Sequence, residues 1–451
     1  MKIVVVGMGY AGIPSAALFA NVNGITVAGL QRKSQRSGWK IDCLNQGKSP
    51  IGGDEPGLAE LINKVVKEDQ LKATDDSSVY SDADVILIDV QTPVNKYHTP
   101  DYDSLKNVCR EAGKKMNNGV LFGVESTVAP GTTENIVKPI LEGASGMEAG
   151  ADFNLIYSYE RVMAGRLLYN LQYLPRIVGG HTAKCAKRGA ELYSKINKTE
   201  IFQTDCLTAE TCKTVENAYR DVNIAFANEI ALICESLGAD VNEVRRYVNN
   251  LPFDPRDPAK NPYRMMLEPG AGVGGHCLPK DSWLLKYGVD NFGTKKVNPN
   301  IIIQSRITND YMPFHMKNLV IEALKENGIE LEKSKITILG YAFLENSGDT
   351  RNTPAQHLYN SLDKAKELVV HDPNVRDFEG VNYTKDLEKA LINSDCLALV
   401  TKHKEYLTID LQWLKETMRT PIIVDGRNLF NRFGAENLGF TYKGIGIGHK
   451  P

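Results

Sequence analysis

The sequence predicts an α/β protein in which two blocks of alternating strands and helices flank one long helix. Short apolar strand signals alternate with helical patterns in the first part of the chain. A stretch of about thirty residues then lacks Gly and Pro, and the alternation returns before the end. A chain of 451 residues has room for about three domains. We therefore expect an N-terminal Rossmann-like domain at 1–205, a central long-helix dimerisation segment at 206–315 and a C-terminal Rossmann-like α/β domain at 316–451.

The predicted strands are short and mostly apolar, and the first is a continuous apolar run, which is typical of strands buried in parallel sheets. In the N-terminal domain they cover residues 3–6, 26–30, 85–90, 121–125 and 154–157. In the C-terminal domain they cover residues 336–340, 368–371, 397–401 and 422–425. Between these blocks, apolar residues recur at helical spacing over 208–237, which predicts one helix ending before Gly238. This helix connects the two blocks and offers a surface for a homodimer.

Composition excludes several classes of protein. The 53 Lys and Arg residues nearly balance the 55 Asp and Glu residues, so the chain lacks the basic excess of a nucleic-acid binder. The eight cysteines include no CxxC pair, which favours a reducing compartment and argues against a zinc or other metal site. The uncharged stretch 3–30 is interrupted by Gly and Pro, and no other segment is apolar enough for a membrane span. We expect a cytoplasmic protein without membrane contact.

The first motif with a chemical meaning is Gly7-Met8-Gly9-Tyr10-Ala11-Gly12, which follows the first strand and opens a helix. Its glycines permit a tight turn and allow a pyrophosphate to approach the helix N-terminus. The alternative is a glycine-rich turn that serves packing only. The position of the motif, between a strand and a helix at the start of the chain, favours a dinucleotide site.

The end of the second strand does not show the usual partner of this motif. A dinucleotide site normally has an acidic residue there, which binds the ribose hydroxyls. This chain has Gln31 and Arg32 instead. Gln31 can hydrogen-bond a hydroxyl, whereas Arg32 can attract a 2′-phosphate, so the residues leave NAD and NADP both open.

A second glycine-rich segment, 270–275, leads to Cys277, Pro279 and Asp281. Proline suits a first helical turn, and a cysteine at a helix N-terminus has a lowered thiol pKa that makes it a nucleophile. Asp281 lies on the same side of that helix and can serve as a base or orient water. The glycine spacing resembles a P-loop, but the Lys and Ser/Thr that follow in a P-loop are absent. The other alternative is a buried, inert cysteine.

The long predicted helix carries four polar residues at spacings of three and four: Glu210, Lys213, Asn217 and Asp221. One interpretation is a solvated helix face, which is the usual meaning of a charged stripe. The other is that a Lys and an Asn one turn apart polarise a substrate oxygen.

Polar residues also follow three of the predicted strands, where ligands bind in doubly wound sheets. They form the segments Thr92-Pro93, Glu125-Ser126-Thr127 and Tyr159-Glu160-Arg161. Each segment alone is equally consistent with a helix cap or a turn. His276 is consistent with a structural histidine.

Together these motifs resemble the UDP-glucose/GDP-mannose dehydrogenase family of nucleotide-sugar dehydrogenases. The resemblance covers nearly the whole chain. It rests on GMGYAG at 7–12, LNQGKSPIGGDEPGL at 44–58, Thr92-Pro93, ESTVAPGTT at 125–133, YERV at 159–162, Lys213 with Asn217, GAGVGGHCLPKD at 270–281, GYAFLENSGDTRNTP at 340–354 and DGRN at 425–428. The family implies oxidation of a sugar C6 alcohol to a carboxylate, with transfer of two hydrides to NAD in turn.

The resemblance also implies roles for individual residues. Cys277 is the nucleophile that forms a thiohemiacetal and then a thioester, and Asp281 and Glu160 act as acid and base. Lys213 and Asn217 stabilise the oxyanion, and Thr127 positions water or substrate. Cofactor contacts are implied for Gly7, Gly9, Tyr10, Ala11, Gly12, Gln31, Arg32, Thr92, Pro93, Ser126 and Thr127. Substrate contacts are implied for Glu160, Arg161, Lys213, Asn217, Arg264, Gly274, Arg351 and Arg427, with Arg264 reaching a partner subunit's sugar site.

The sequence departs from the family pattern at several positions. Leu344 stands where a Lys is usual, and Tyr159 and Ala164 stand where Pro is common. The segments 160–162 and 274–277 look more like the UDP-N-acetylhexosamine members than the UDP-glucose members. The candidate substrates are UDP-N-acetyl-mannosamine, -glucosamine and -galactosamine. Three other hypotheses stay open: the same oxidation of UDP-glucose or another NDP-sugar, a two-electron dehydrogenase of the β-hydroxyacid type, and a non-catalytic nucleotide-sugar sensor.

Overall fold

The computed structural model describes residues 1–35, 37–250, 265–375, 378 and 380–448. The chain forms two compact units. The first contains Met1–Asn217 with Lys280–Asn298, and the second contains Ala218–Pro279 with Pro299–Pro451. The three-part division at 205 and 315 stays a prediction. Arg264, predicted to bind substrate, lies outside the described residues.

The helices of the described residues connect consecutive strands or form the middle of the chain. In chain order they are α1 (Gly12–Ala20), α2 (Trp39–Asn45), α3 (Leu58–Lys67), α4 (Asp103–Gly113), α5 (Lys138–Ser145), α6 (Leu167–Tyr173), α7 (Ala183–Tyr193), α8 (Cys206–Leu237), α9 (Val241–Asn249), α10 (Leu278–Phe292), α11 (Asn300–Glu326), α12 (Pro354–Ser361), α13 (Leu387–Leu391), α14 (Leu411–Thr417) and α15 (Arg432–Asn437). Within the described residues, none of these helices is both long and apolar enough to cross a membrane.

An eight-stranded sheet forms the centre of the first unit. Its strands are β1 (Lys2–Val6), β2 (Thr26–Leu30), β3 (Leu71–Thr74), β4 (Val85–Ile88), β5 (Leu121–Val124), β6 (Asn154–Tyr157), β7 (Arg176–Gly180) and β8 (Ile201–Asp205). They lie in the order β3-β2-β1-β4-β5-β6-β7-β8, and only β6 and β7 pair antiparallel. The order reverses between β1 and β4, which opens a crevice at the carboxyl ends of these two strands.

Both faces of this sheet are buried, which explains the continuous apolar runs of its strands. Ile3 and Val5 of β1 pack into one core together with α1, whereas Val4 and Val6 point into the core on the opposite face. Successive side chains of a strand alternate between faces, so a strand with cores on both sides needs an apolar residue at every position.

The second unit contains a parallel six-stranded sheet. Its strands are β9 (Lys335–Leu339), β10 (Glu367–His371), β11 (Tyr383–Thr384), β12 (Cys396–Leu399), β13 (Ile422–Asp425) and β14 (Thr441–Gly444), in the order β11-β10-β9-β12-β13-β14. The order again reverses at the first strand, between β9 and β12. The α/β class with two Rossmann-like sheets is therefore confirmed.

The predicted strands are present, with differences at their carboxyl ends. The strands predicted at 85–90, 121–125, 336–340 and 397–401 end at Ile88, Val124, Leu339 and Leu399. The chain leaves the sheet there because the following residues bond across strand ends, as Ser126 does to Val90. The strands that were not predicted are β3, β7, β8, β11 and β14. Four of them are sheet edges with polar residues, and β7 contains two glycines.

The long helix predicted over 208–237 is confirmed as α8, which starts two residues earlier. Its apolar residues do not all face a core. Tyr219 is 68% exposed, Phe226 is 55% exposed and Leu237 is 75% exposed, with Val215 and Ile233 also exposed. These five residues, spaced three or four apart or at multiples of that step, form one apolar stripe on α8.

Candidate active site

The turn between β1 and α1 has the shape that its glycines predict. A side chain at Gly7, where φ is +103°, would come within 2.3 Å of the Asp89 carbonyl oxygen, and one at Gly12 within 2.0 Å of the Gly7 carbonyl oxygen. At Gly9, by contrast, an added Cβ meets no atom within 4 Å. The turn is thus packed on its inner side and open at Gly9, where a pyrophosphate can approach the start of α1.

Gln31 takes part in the structure of this turn. Its side-chain carbonyl oxygen accepts a hydrogen bond from the Met8 backbone N–H at 3.1 Å, and its amide nitrogen donates to Ser37 Oγ at 3.1 Å. Arg32 is exposed beside it. Gln31, which stands in place of the usual ribose-binding acid, therefore also links the glycine turn to the end of β2 by a hydrogen bond.

The residues predicted after β4 and β5 come together. Thr92 Oγ1 donates to the Thr127 carbonyl oxygen at 2.5 Å, and Ser126 Oγ donates to the Val90 carbonyl oxygen at 2.7 Å. Thr92 and Ser126 are buried. The two strand ends are joined at the edge of the sheet where the glycine turn also lies.

Glu160 and Lys213 lie next to each other. The Lys213 ammonium donates to the Glu160 backbone carbonyl oxygen at 2.9 Å and lies 5.1 Å from the centre of the Tyr159 ring. The Glu160 carboxylate accepts from the Val162 backbone N–H. Lys213 is 6% exposed, so its ammonium group is largely shielded from water beside the loop that carries Glu160.

Arg161 is held by protein groups on three sides. Its Nε donates to Glu216 at 2.9 Å, one terminal nitrogen donates to the Pro175 carbonyl oxygen, and the other donates to the Tyr159 hydroxyl at 3.0 Å. These bonds fix the shape of the 159–161 segment.

Asn217 and Asp281 form the second pair within the first unit. Asn217 Nδ2 donates to Asp281 Oδ2 at 2.5 Å, while Lys280 Nζ donates to Asp281 Oδ1 at 2.8 Å. Asp281 is fully buried. The carboxylate is therefore held by one amide and one cation in the first turn of α10.

The four polar residues of α8 do not form a solvated face, so that interpretation is wrong. Glu210 and Asp221 are both fully buried. Glu210 accepts the backbone N–H groups of Gly131 and Thr133, whereas Asp221 accepts from Arg306 and Asn309 in the second unit. Burial raises the pKa of Glu210 to about 7 and that of Asp221 to about 6.

Arg176 and Asp89 in this region were not predicted from the sequence, and neither was the ion pair that Glu125 forms. Glu125, at the end of β5, is buried in an ion pair with Arg176 and also accepts from the Tyr193 hydroxyl at 2.9 Å. Asp89 directly follows β4, and its Oδ2 has no hydrogen-bond partner among the described residues. Burial raises the pKa of Asp89 well above its usual range, and Glu125 and Glu160 raise it further. No spacing signal in the sequence pairs residues as distant as Glu125 and Arg176.

The remaining candidates lie in the second unit. Cys277 is half-buried and immediately precedes α10, as predicted. The glycines before it lie close to other protein atoms. A Cβ at Gly274 would lie 2.5 Å from Phe343 Cβ, and one at Gly270 would lie 2.2 Å from an Arg427 nitrogen. These glycines thus give the segment before Cys277 its packed shape.

Two predicted arginines of the second unit are fixed by neighbouring groups. Arg427 Nε donates to the Val400 carbonyl oxygen at 2.8 Å, and burial lowers the pKa of its guanidinium. Arg351 forms an ion pair with Asp349, and its carbonyl oxygen accepts from the Gly275 N–H at 2.9 Å. The loop that bears Arg351 is thereby tied to the segment that precedes Cys277.

Three family models match the chain. They are the NAD binding domain, the central domain and the UDP binding domain of the UDP-glucose/GDP-mannose dehydrogenase family, and they match residues 1–197, 207–311 and 337–432. Together they cover most of the chain in the order in which the two sheets and α8 occur.

Individual relatives are similar over the full length. The UDP-N-acetyl-D-mannosamine dehydrogenase of Pyrococcus horikoshii is 35% identical, with 99% of this chain and 100% of the relative covered. A solved structure of a UDP-D-ManNAc dehydrogenase from the same organism has a TM-score of 0.89, with all of both chains covered. The NDP-N-acetyl-D-galactosaminuronic acid dehydrogenase of Methanosarcina mazei is 41% identical, with a TM-score of 0.86 and 99% and 95% of the chains covered.

Proposed function

The chain belongs to the UDP-glucose/GDP-mannose dehydrogenase family, and on that premise we propose that it oxidises a UDP-N-acetylhexosamine at C6 to the uronic acid. The class of enzyme is an NAD-dependent oxidoreductase of UDP-sugars. The observation that carries the four-electron reaction is Cys277 directly before α10, with the buried Asp281 in its first turn. A two-electron dehydrogenase needs neither of them.

The first unit has the residues that would hold NAD. Gly7, Gly9 and Gly12 shape the turn for the pyrophosphate, with Tyr10 and Ala11 at its tip. Gln31 and Arg32 lie at the ribose end, and Thr92, Pro93, Ser126 and Thr127 line the neighbouring strand ends. NAD, when bound, accepts a hydride, and two molecules in turn accept the two hydrides of a four-electron oxidation.

We assign the covalent chemistry to Cys277. After the first oxidation has produced an aldehyde, the Cys277 sulfur bonds to its carbon and the oxygen takes a proton, giving a thiohemiacetal. Loss of hydride from that carbon, with loss of the hydroxyl proton, leaves a thioester. Water then displaces the sulfur, which yields the carboxylate and restores the thiol. The helix N-terminus behind Cys277 favours its thiolate form.

The roles of the polar groups around the reacting carbon are assigned from the family resemblance, and the burial of Lys213 supports its role. Lys213 is a nearly dry cation, which stabilises a developing oxyanion more strongly than an exposed one. Asn217 supplies a second donor. Asp281 and Glu160 act as the acid and base for water and hydroxyl protons, and Thr127 positions water or substrate.

Substrate recognition is assigned mainly to arginines. Arg351 and Arg427 would bind the diphosphate or the sugar, because guanidinium groups match phosphate oxygens. Arg161 and Gly274 are proposed to contact the sugar, and the family resemblance assigns Arg264, which lies outside the described residues, to the sugar site of a partner subunit. The names of the relatives favour an N-acetylated hexosamine, with mannosamine, glucosamine and galactosamine as the candidates.

The apolar stripe of α8 supports a homodimer. Tyr219, Phe226 and Ile233 lie on one exposed line of the helix, and Ile307 and Phe314 of α11 are exposed as well. A single chain rarely leaves large aromatic and aliphatic side chains in such a row, whereas a second copy would bury them.

The proposal is tested with purified chain, NAD and a panel of four UDP-sugars, namely the three N-acetylhexosamines and UDP-glucose. We expect NADH formation with one N-acetylhexosamine and a product of carboxylate mass. NADH formation only with UDP-glucose would move the substrate to another branch of the family. Absence of NADH with every sugar, in a chain that binds them, would identify a sensor instead of an enzyme.

A further inference from the structure

We propose that Glu210 is a positioning residue whose carboxylate holds the loop of residues 126–133 where Ser126 and Thr127 meet NAD. This inference rests on the proposed cofactor contacts of those two residues. In the first unit, α8 carries the polar residues Glu210, Lys213 and Asn217. Glu210 is the one of these three to which no role has been assigned.

The contacts of Glu210 are two bonds to one backbone turn. Oε2 accepts from the Gly131 N–H at 2.6 Å, and Oε1 accepts from the Thr133 N–H at 2.7 Å. Both carboxylate oxygens are used, and the side chain is fully buried. Hydrogen bonds to an ionised acceptor are stronger than neutral ones, and two of them to alternate residues fix both the place and the tilt of the turn.

The other end of the loop is also restrained by hydrogen bonds. Thr127 is bonded through its carbonyl oxygen to Thr92, and the Ala129 N–H donates to the Tyr102 hydroxyl at 2.8 Å. Gly131 has φ +92°, and a Cβ there would lie 2.8 Å from the Phe292 ring. Only three residues separate Thr127 from Gly131, so we expect a displacement of the turn at Gly131 to displace Thr127 as well.

The same carboxylate links the loop to the helix that bears Lys213. Glu210 precedes Lys213 by three residues on α8, so the two side chains emerge from neighbouring positions on one helix face. Holding the loop from this helix fixes the distance between the cofactor contacts of the loop and the cation of the site.

The charge of Glu210 changes near neutral pH. Burial, with a smaller contribution from Glu134, raises its pKa to about 7 against the lowering effect of the hydrogen bonds from Thr133 and Gly131. The other titratable groups that face it are Tyr102, Tyr157 and Cys206, all with raised pKa values, and Glu134 itself pairs with His181. Protonation converts one of the two acceptor oxygens into a hydroxyl, so the loop is held less firmly below about pH 7.

The test measures the dissociation constant of NAD without sugar, between about pH 6 and pH 8. For the wild-type chain we expect NAD to bind more weakly as the pH falls through about 7. Glu210→Gln keeps the size but offers the two N–H groups only one acceptor oxygen. We expect about tenfold weaker binding of NAD at the higher pH and no step near pH 7. Glu191→Gln, an exposed change on α7, serves as the matched control and should behave as wild type.

A second measurement is independent of the cofactor. Hydrogen–deuterium exchange of the segment 126–135 should be faster in Glu210→Gln, with the rest of the chain unchanged. Glu210→Asp restores an anionic acceptor and should recover the pH step even where the affinity is reduced. Wild-type affinity and an unchanged pH step in Glu210→Gln would overturn the inference, as would an NAD affinity of the wild-type chain that is flat over this pH range. If the wild-type chain shows the pH step in NAD affinity but oxidises no UDP-sugar, the proposed function is refuted instead.

Discussion

The amide of Asn217 donates to Asp281 Oδ2 across 2.5 Å, which joins the middle of α8 to the first turn of α10. Lys280 donates to the other oxygen of the same carboxylate. Because α10 starts one residue after Cys277, this bond anchors the start of the helix that follows the proposed nucleophile. The two residues proposed for separate chemical roles are therefore also structural partners.

Asn217→Leu should destabilise the fold and slow the reaction. The change leaves one oxygen of the buried Asp281 without a partner, which costs about 1–3 kcal/mol in the free energy of unfolding. Urea unfolding measures this cost, and steady-state kinetics should show a larger loss in kcat than in NAD affinity. Asn107→Leu, an exposed position on α4, is the control. Equal stability of both variants would argue against the anchoring role of the bond.

Arg176→Met should destabilise the chain by about 3–5 kcal/mol near pH 8, because it leaves the buried Glu125 carboxylate without its cation. Burial already raises the pKa of Glu125, and Arg176 opposes that rise. A carboxyl group whose pKa is higher in the folded than in the unfolded state destabilises the fold as the pH rises from the unfolded-state value to the folded-state value. The variant should therefore recover part of its deficit as the pH is lowered from 8 to 5, because a lower pH favours the protonated form of Glu125.

The control for that prediction is the double variant Glu125→Gln with Arg176→Met, in which no buried carboxylate is left unpaired. Its unfolding free energy should vary less between the two pH values than that of Arg176→Met alone. A deficit of the single variant that is the same at both pH values would contradict the assigned cause.

Gln31→Glu should increase the preference for NAD over NADP. A carboxylate at this position can still accept from the Met8 N–H, and it adds an acceptor for ribose hydroxyls while it repels a 2′-phosphate. We expect the ratio of kcat/KM values for NAD and NADP to rise about tenfold. Arg32→Ala tests the other half of the argument and should weaken NADP use only. An unchanged ratio in both variants would place the adenosine ribose elsewhere.

Phe226→Glu should convert the proposed dimer into a monomer, because it introduces a charge into the middle of the apolar stripe of α8. Sedimentation or light scattering measures the mass directly. Phe202→Glu introduces the same change at an exposed phenylalanine of β8 and should leave the mass at that of wild type. A wild-type chain that is monomeric at every concentration would refute the dimer itself.

The sequence predicts the parts of the fold that depend on local patterns. β1 and β9 are mostly apolar because both of their faces are buried, and α8 shows a clear helical period. Edge strands such as β3 and β14 were not predicted, because they alternate buried and exposed or half-exposed residues over only four positions. A pattern that short is not distinguishable from a turn.

The candidate site was predictable where a motif carries a local shape, as at Gly7–Gly12 and Cys277. Contacts between residues that are distant in the sequence were not predictable. Arg176 lies fifty-one residues from Glu125, and its burial depends on the pairing of β6 with β7. The burial of Glu210 likewise depends on the position of the Gly131 turn, which the helical spacing of α8 does not specify.

The central claim is a four-electron oxidation through Cys277, and the most direct measurement is the number of NADH molecules formed per UDP-sugar consumed. We predict about two for the wild-type chain, since alcohol to carboxylate releases two hydrides. For Cys277→Ser we predict that carboxylate formation is lost, because a serine hydroxyl does not form the thioester. A wild-type ratio near one, or carboxylate formation at the wild-type rate by Cys277→Ser, would contradict the account.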